Sequence, residues 1–286
     1  MKRLIAGSVL AMLWYGWAVA AAPVWKAQKE GEVIYLGGTF HLLTEADYPL
    51  PAEFDRAYKA SDVLVFETDI ALLQEPATQQ KLLARAVYSD GSTIDQHLSP
   101  KVYAELSAYC EANDIPLQAL RQVRPSLLMV TLTIMELNRL GVVRQGVDQY
   151  FHDLARQEGK RIEKLETVDE QLDYLVTMAD GYEDDFVTYS LRDLKKSREK
   201  FDAMSAAWRR GDDGKLAELL AADFRKEEPR LYRKLITERN RKWLPLIADG
   251  GKPRRTKFIL VGAAHLVGEE GIIAALRKKG YRVEKL

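Results

Sequence analysis

Two periodicities of apolar positions run along this chain. Short β-branched or aromatic runs at residues 32–36 (EVIYL), 62–66 (DVLVF) and 257–261 (KFILV) predict strands. A weaker run at 160–165 and a last one at 281–286 complete the set. Between them apolar residues recur at spacings of three and four, which predicts helices. Ser99-Pro100 caps and opens one that reaches about Ala112. Residues 125–140 carry Leu127, Leu128, Val130, Leu132, Ile134, Met135 and Leu137 and stop at Gly141, too short for a membrane span. Val147, Tyr150, Phe151, Leu154 and Ala155 form a stripe ending at Gly159. Thr167 and Glu170 make a TxxE capping box for the next helix. Polar helices fill 183–210 and 215–249, with Pro245 expected to kink the last.

Strands at both ends and a large helical insert between them predict an α/β or α+β fold around a central mixed or parallel sheet. The first 20 residues read differently. Lys2 and Arg3 precede an apolar run from Leu4 to Val19, and Ala18-Val19-Ala20 follows the small-x-small pattern of a cleavage site. A signal peptide cleaved after Ala20 is expected, hence a periplasmic or secreted protein with no stable membrane insertion; an uncleaved anchor is the other reading. No Pro/Gly/Ser-rich linker follows, so one domain is expected over 21–286.

The 286 residues are 47% apolar, enough for a sizeable core. Lys plus Arg and Asp plus Glu both number 42; removing Lys2 and Arg3 with the leader leaves 40 minus 42, or −2. A nucleic-acid partner normally needs a basic excess, so none is expected. The single cysteine, Cys110, excludes an intrachain disulfide framework, a Cys-rich zinc site and a CxxC motif. HExxH, GxSxG and P-loop motifs are absent, and the SxxK at Ser197–Lys200 lies in a charged helical run.

The chemistry concentrates in a repeated pattern. GTFHLL at 38–43 and GAAHLV at 262–267 both read as an apolar strand followed by GxxHL, and they take two of the four histidines, His41 and His265. Glycine would let the chain turn sharply as the strand ends, so each histidine projects from the carboxyl edge of a sheet, where open α/β sheets bind ligands. Glu67 and Glu166 also follow strand runs directly. If the four strands share a sheet and a direction, two imidazoles and one or two carboxylates converge on one rim, a donor set suited to zinc, manganese, iron or cobalt. The bland alternatives are a hydrogen-bonded structural histidine, a solvated strand-end acid at Glu67, and for Glu166 an acid favoured by the dipole of the helix that Thr167 caps.

At these residues the chain resembles the TraB/GumN family, which includes the Tiki proteases. The likeness runs through YLGGTFHLL, Pro49–Pro51 and SDVLVFETD, then GVDQYFHDLARQEGKRIEKLETVDEQL, WRRGD, the Arg239-Asn240 pair, and FILVGAAHLVGEEGIIAALRKKGY. It implies a fold related to haem-binding ChaN and erythromycin esterase, and for the Tiki branch a metal-dependent peptidase with two GxxH motifs. His41 and His265 match the paired histidines and Glu67 the acid after the second strand. Asp148, Glu166, Arg239 and Asn240 match further polar positions. Pro245 and the lack of a tryptophan after Pro125 depart from the family pattern, and both bear on the wall of the cleft.

The expected function is an exported metal-dependent hydrolase, a peptidase or amidase acting on a peptide or other small substrate. His41 and His265 would hold zinc, manganese or cobalt, with Glu67 as third ligand or base. Glu166 or Asp148 would take the proton of the attacking water, and Arg239 and Asn240 would steady the carbonyl oxygen. Locally, Asp148 could instead pair with His152 one turn on, and Arg239 could face solvent in its charged run. The rival expectation is a binding protein that captures haem, a metal or a short peptide without turnover; a third keeps hydrolysis with a histidine base and no metal.

Overall fold

The computed structural model describes residues 22–249 and 255–286, so the expected leader lies outside the described residues. Its strands, in chain order, are β1 (Val24–Lys29), β2 (Glu32–Thr39), β3 (Leu42–Leu43), β4 (Val63–Phe66), β5 (Arg144–Gln145), β6 (Arg161–Lys164), β7 (Lys257–Gly262) and β8 (Arg282–Lys285). Six form a mixed sheet in the order β6, β4, β7, β2, β1, β8, and β3 pairs with β5 in a separate two-stranded ribbon. The fold is therefore α/β. β6, β4, β7 and β2 run parallel, as the converging rim requires, while β1 lies antiparallel to β2 and to β8. β4 and β7 are central strands covered on both faces, which is why VLVF and FILV read as unbroken apolar runs.

The order has one consequence for the site. β2, β4 and β6 come first in the chain, and β7, from its far end, fills the gap left between β2 and β4. Thr39 thereby lies opposite Gly262 and Gly38 opposite Val261, so the two GxxH motifs leave the sheet side by side. The crevice above β7 is a topological switch point, where open α/β sheets take ligands.

The motif glycines work by close approach rather than by the sharp turn expected of them. Gly38 is not in the left-handed region and Gly262 has φ −49°. A Cβ on Gly38 would stand 3.2 Å from that of Ala263, tighter than ordinary van der Waals contact.

Trp25, Trp208, Trp243, Phe54, Phe151 and Phe258 fill the core around the sheet. A second core, including Leu106, Leu128, Leu132 and Val187, joins the helices of the insert and buries Cys110. The helices Pro100–Ala112, Pro125–Arg139, Val147–Gln157 and Val168–Thr177 occupy the expected stretches, the last with its Thr167 capping box. The charged stretch after Tyr182 splits into Glu183–Leu194 and Ser197–Arg209. Beyond it, two π-helical turns, Glu218–Ala222 and Arg233–Thr237, interrupt the path to helix Glu238–Ile247. Pro245 sits in the last turn of that helix, which ends two residues later instead of reaching Asp249. Among the described residues, no helix is long and apolar enough to cross a membrane.

Candidate functional site

His265 lies in the single helical turn Ala263–Leu266 that follows β7, and Glu67 is the first residue after β4. The Gly262 N–H donates to Glu67 Oε1 at 2.7 Å, and a Cβ on Gly262 would come within 3.3 Å of that oxygen. Glu166, after β6, is tied to the same rim by its backbone N–H, which donates to the Glu67 carbonyl at 2.9 Å. Helix Glu238–Ile247 closes over them with a buried face of Arg239, Asn240, Trp243 and Ile247.

Arg239 commits all five of its N–H groups. Nε donates to Glu166 Oε2 at 3.1 Å, and Nη2 to Glu166 Oε1 at 2.8 Å and Glu67 Oε2 at 2.6 Å. Nη1 reaches the Leu235 carbonyl at 3.3 Å and His265 Nε2 at 3.2 Å. The guanidinium lies 4.5 Å over the Trp243 ring and 5.4 Å over that of Tyr174, and Trp243 Nε1 donates to Glu166 Oε2. Asn240 is equally committed: Nδ2 donates to the His265 and Glu270 carbonyls, and Oδ1 faces His265 Nδ1 at 2.8 Å. Both side chains have their donors engaged inside the protein, and Arg239 does not face solvent with its charged neighbours.

The other histidine is built differently. His41 follows β2 with its side chain 65% exposed, and Nδ1 stands 3.0 Å from Asp148 Oδ2. Asp148 is in the first turn of helix Val147–Gln157, where the helix dipole favours an acid. The β3–β5 ribbon and a 3.1 Å bond from the Val147 N–H to the Phe40 carbonyl bring the two segments together. Asp148 therefore pairs with His41 and not with His152, which is buried with its ring edge-on to Phe66. Among the described residues, Asp148 Oδ1 is buried without a hydrogen-bond partner, as are the hydroxyls of Thr39 and Thr68 beside the rim.

Charge follows from these contacts. The Asp148 carboxylate beside it raises the His41 pKa to about 9, which favours the protonated imidazole at neutral pH. Burial lowers that of His265, although Glu67 pulls the other way, and keeps this ring neutral. Burial would raise Glu67, but its neighbours His265, Arg239 and His41 and the Gly262 N–H outweigh burial and hold it ionised. Burial raises Glu166 despite its bonds to Arg239.

The structure brings His265, Glu67, Glu166, Arg239 and Asn240 into one hydrogen-bonded cluster, with His41 and Asp148 close enough for His41 to act electrostatically on both Glu67 and His265. Sequence reasoning missed Trp243, Tyr174 and Gly146. The first was legible as the apolar residue one helical turn after Arg239; Tyr174 carried no signal.

Among the described residues, no group of three or more His, Cys, Asp and Glu side chains is drawn together tightly enough to grip an ion as it stands. The donor chemistry nevertheless fits one. Both imidazoles have Nδ1 engaged by a side-chain oxygen, the usual outer-sphere arrangement of metal-binding histidines. Glu67 Oε1 retains a lone pair 3.9 Å from His265 Nε2, near the roughly 3.4 Å between two ligands of one tetrahedral ion. The Arg239 N–H on His265 Nε2 is the contact that must yield.

No curated protein and no solved structure matches the chain, so the expected kinship with the ChaN and erythromycin esterase fold gains no support and the α/β topology stands on its own. The model of the TraB/PrgY/gumN family matches residues 23–285, nearly the whole chain, and carries the same paired motifs to a conclusion: the protein belongs to the TraB/PrgY/gumN family.

Proposed function

We propose that this protein is an exported hydrolase of peptide or other amide bonds that uses a divalent ion, zinc, manganese or cobalt. One observation supports the reading: two imidazoles from opposite ends of the chain, each with Nδ1 held by a side-chain oxygen, follow neighbouring parallel strands that leave the sheet side by side. His41 Nε2, His265 Nε2 and Glu67 Oε1 would hold the ion. Such an ion lowers the pKa of a bound water to roughly 7 and so supplies a nucleophile at neutral pH.

The protein's own groups do the rest. Asp148 Oδ2 orients the His41 ring, and its buried Oδ1, which no donor occupies, is the oxygen left to accept a proton. Glu166 has both oxygens taken by Arg239 and Trp243, which argues for Asp148 as base and Glu166 as scaffold. Arg239 keeps Glu67 ionised and aimed at the rim. The leader, 1–20, supports export to the periplasm or beyond.

The test is turnover of a fluorogenic peptide library by the purified chain. Chelation should abolish it, and one of the three ions should restore it. His41→Ala and His265→Ala should each remove both turnover and ion uptake. Full turnover after exhaustive chelation would refute the metal. The exposed His41 ring, whose Nε2 makes no hydrogen bond among the described residues, favours one second reading, capture of haem or a short peptide. No turnover together with a Soret shift that His41→Ala abolishes would establish haem capture instead.

A further inference from the structure

We propose that Asn240 is a positioning residue that holds His265 in a single neutral tautomer, proton on Nδ1 and lone pair on Nε2, so that Nε2 keeps the lone pair a ligand would use once the Arg239 N–H gives way. Two independent sets of contacts require it. The Asn240 Nδ2 lies 3.1 Å from the His265 carbonyl and 3.0 Å from the Glu270 carbonyl. Only the NH2 end of the amide can satisfy two acceptors; turned over, it would set its own oxygen against both. Oδ1 is therefore the atom 2.8 Å from His265 Nδ1, and that nitrogen must carry the hydrogen.

The second set acts on the opposite nitrogen. A guanidinium only donates, so Arg239 Nη1, 3.2 Å from Nε2, requires a lone pair there. A proton on Nε2 would put two N–H groups head to head. Both sides of the ring thus specify the same tautomer, and they do so from consecutive residues of one helix. Trp243, one turn further on, lies against the ring with centroids 4.5 Å apart and fixes its plane. One helix sets the position, plane and tautomer of a residue 22 or more positions away in the chain.

The consequence for ligands rests on the metal reading above, whereas the tautomer does not. Loss of an outer-sphere partner of this kind typically weakens metal binding 10–100-fold. The experiment records long-range proton–nitrogen correlations of the purified, metal-free chain with nitrogen-15 histidine at neutral pH, the His265 signals being assigned by their loss in His265→Gln. Expected are a protonated Nδ1 and an unprotonated Nε2, with no second tautomer. Asn240→Ala leaves only the Arg239 contact to specify the tautomer, so a measurable share of the Nε2–H form should appear, and in a Co2+ titration followed by visible absorption the variant should bind about 10–100-fold more weakly than wild type.

A wild-type His265 protonated on Nε2, or on both nitrogens, would overturn the proposal. So would an Asn240→Ala protein that keeps the single Nδ1–H form. If that variant does not fold, the wild-type spectrum still decides. Failure of Co2+ to bind the wild-type chain would count against the metal alone, with the tautomer upheld by the nitrogen spectrum.

Discussion

Gly146 has no room for a side chain: a Cβ there would run into the carbonyl oxygens of Phe40 and His41. Its smallness is what lets Asp148 reach the His41 ring. Gly146→Ala should therefore cost about 1–3 kcal/mol in urea unfolding, the usual range for overpacking, and should loosen the His41–Asp148 pair. Arg239 is the more demanding position. Removing it leaves Glu67 and Glu166 buried without their counter-charge, so Arg239→Ala should lose about 3–5 kcal/mol. Arg239→Lys should recover only part, since three donors on a point charge cannot replace a planar fork of five. An Arg239→Ala protein with wild-type stability in the same unfolding assay would show that the clamp does not hold the rim together.

Helix Glu238–Ile247 is entered through the π-helical turn Arg233–Thr237, and the Leu235 carbonyl inside that turn accepts from the Arg239 side chain. Wide turns of this kind commonly mark functional sites. Across the crevice, helix Val168–Thr177 starts directly after Glu166, with Thr167 Oγ1 accepting the Glu170 N–H and Glu170 returning to the Thr167 N–H. This cap fixes where β6 ends and hence where Glu166 projects. Thr167→Ala should cost about 1 kcal/mol by thermal or urea unfolding, and more than that would mean the cap also supports Glu166.

The assembled rim makes stability depend on pH from both sides in the metal-free protein. Glu67 and His265 both have folded pKa values below their unfolded ones. The unfolded chain then binds more protons in acid, so stability falls as pH drops below about 6.5 for His265 and about 4.3 for Glu67. His41 has the opposite sign: raised to about 9, it contributes below about 6.5 and that contribution fades as pH rises through 9. Its exposure to solvent makes this alkaline arm the shallower. A melting temperature measured across pH should peak near neutrality, and His41→Gln should flatten only the alkaline side. The same protonated ring predicts that ion uptake at pH 7 releases about one proton, measurable by calorimetry in buffers of different ionisation heat.

What could be read from the residues in order was local. Unbroken apolar runs marked β4 and β7, apolar stripes and caps marked the helices, and the twin GxxH pattern singled out His41 and His265, because period and capping depend on near neighbours alone. β1 escaped notice because VWKAQK alternates too weakly to stand out. The partners of each charged group belonged to another level. By charge Arg239 looks like Arg241 and Lys242 beside it; it is buried because it shares a helix face with Trp243 and Ile247, which the sheet needs as cover. Asp148 had a plausible partner one turn away in His152, and only the ribbon tying it to β2 redirected it to His41. The insertion of β7 between two strands laid down some two hundred residues earlier decided the rest, since burial and proximity are properties of the closed sheet and of no segment taken alone.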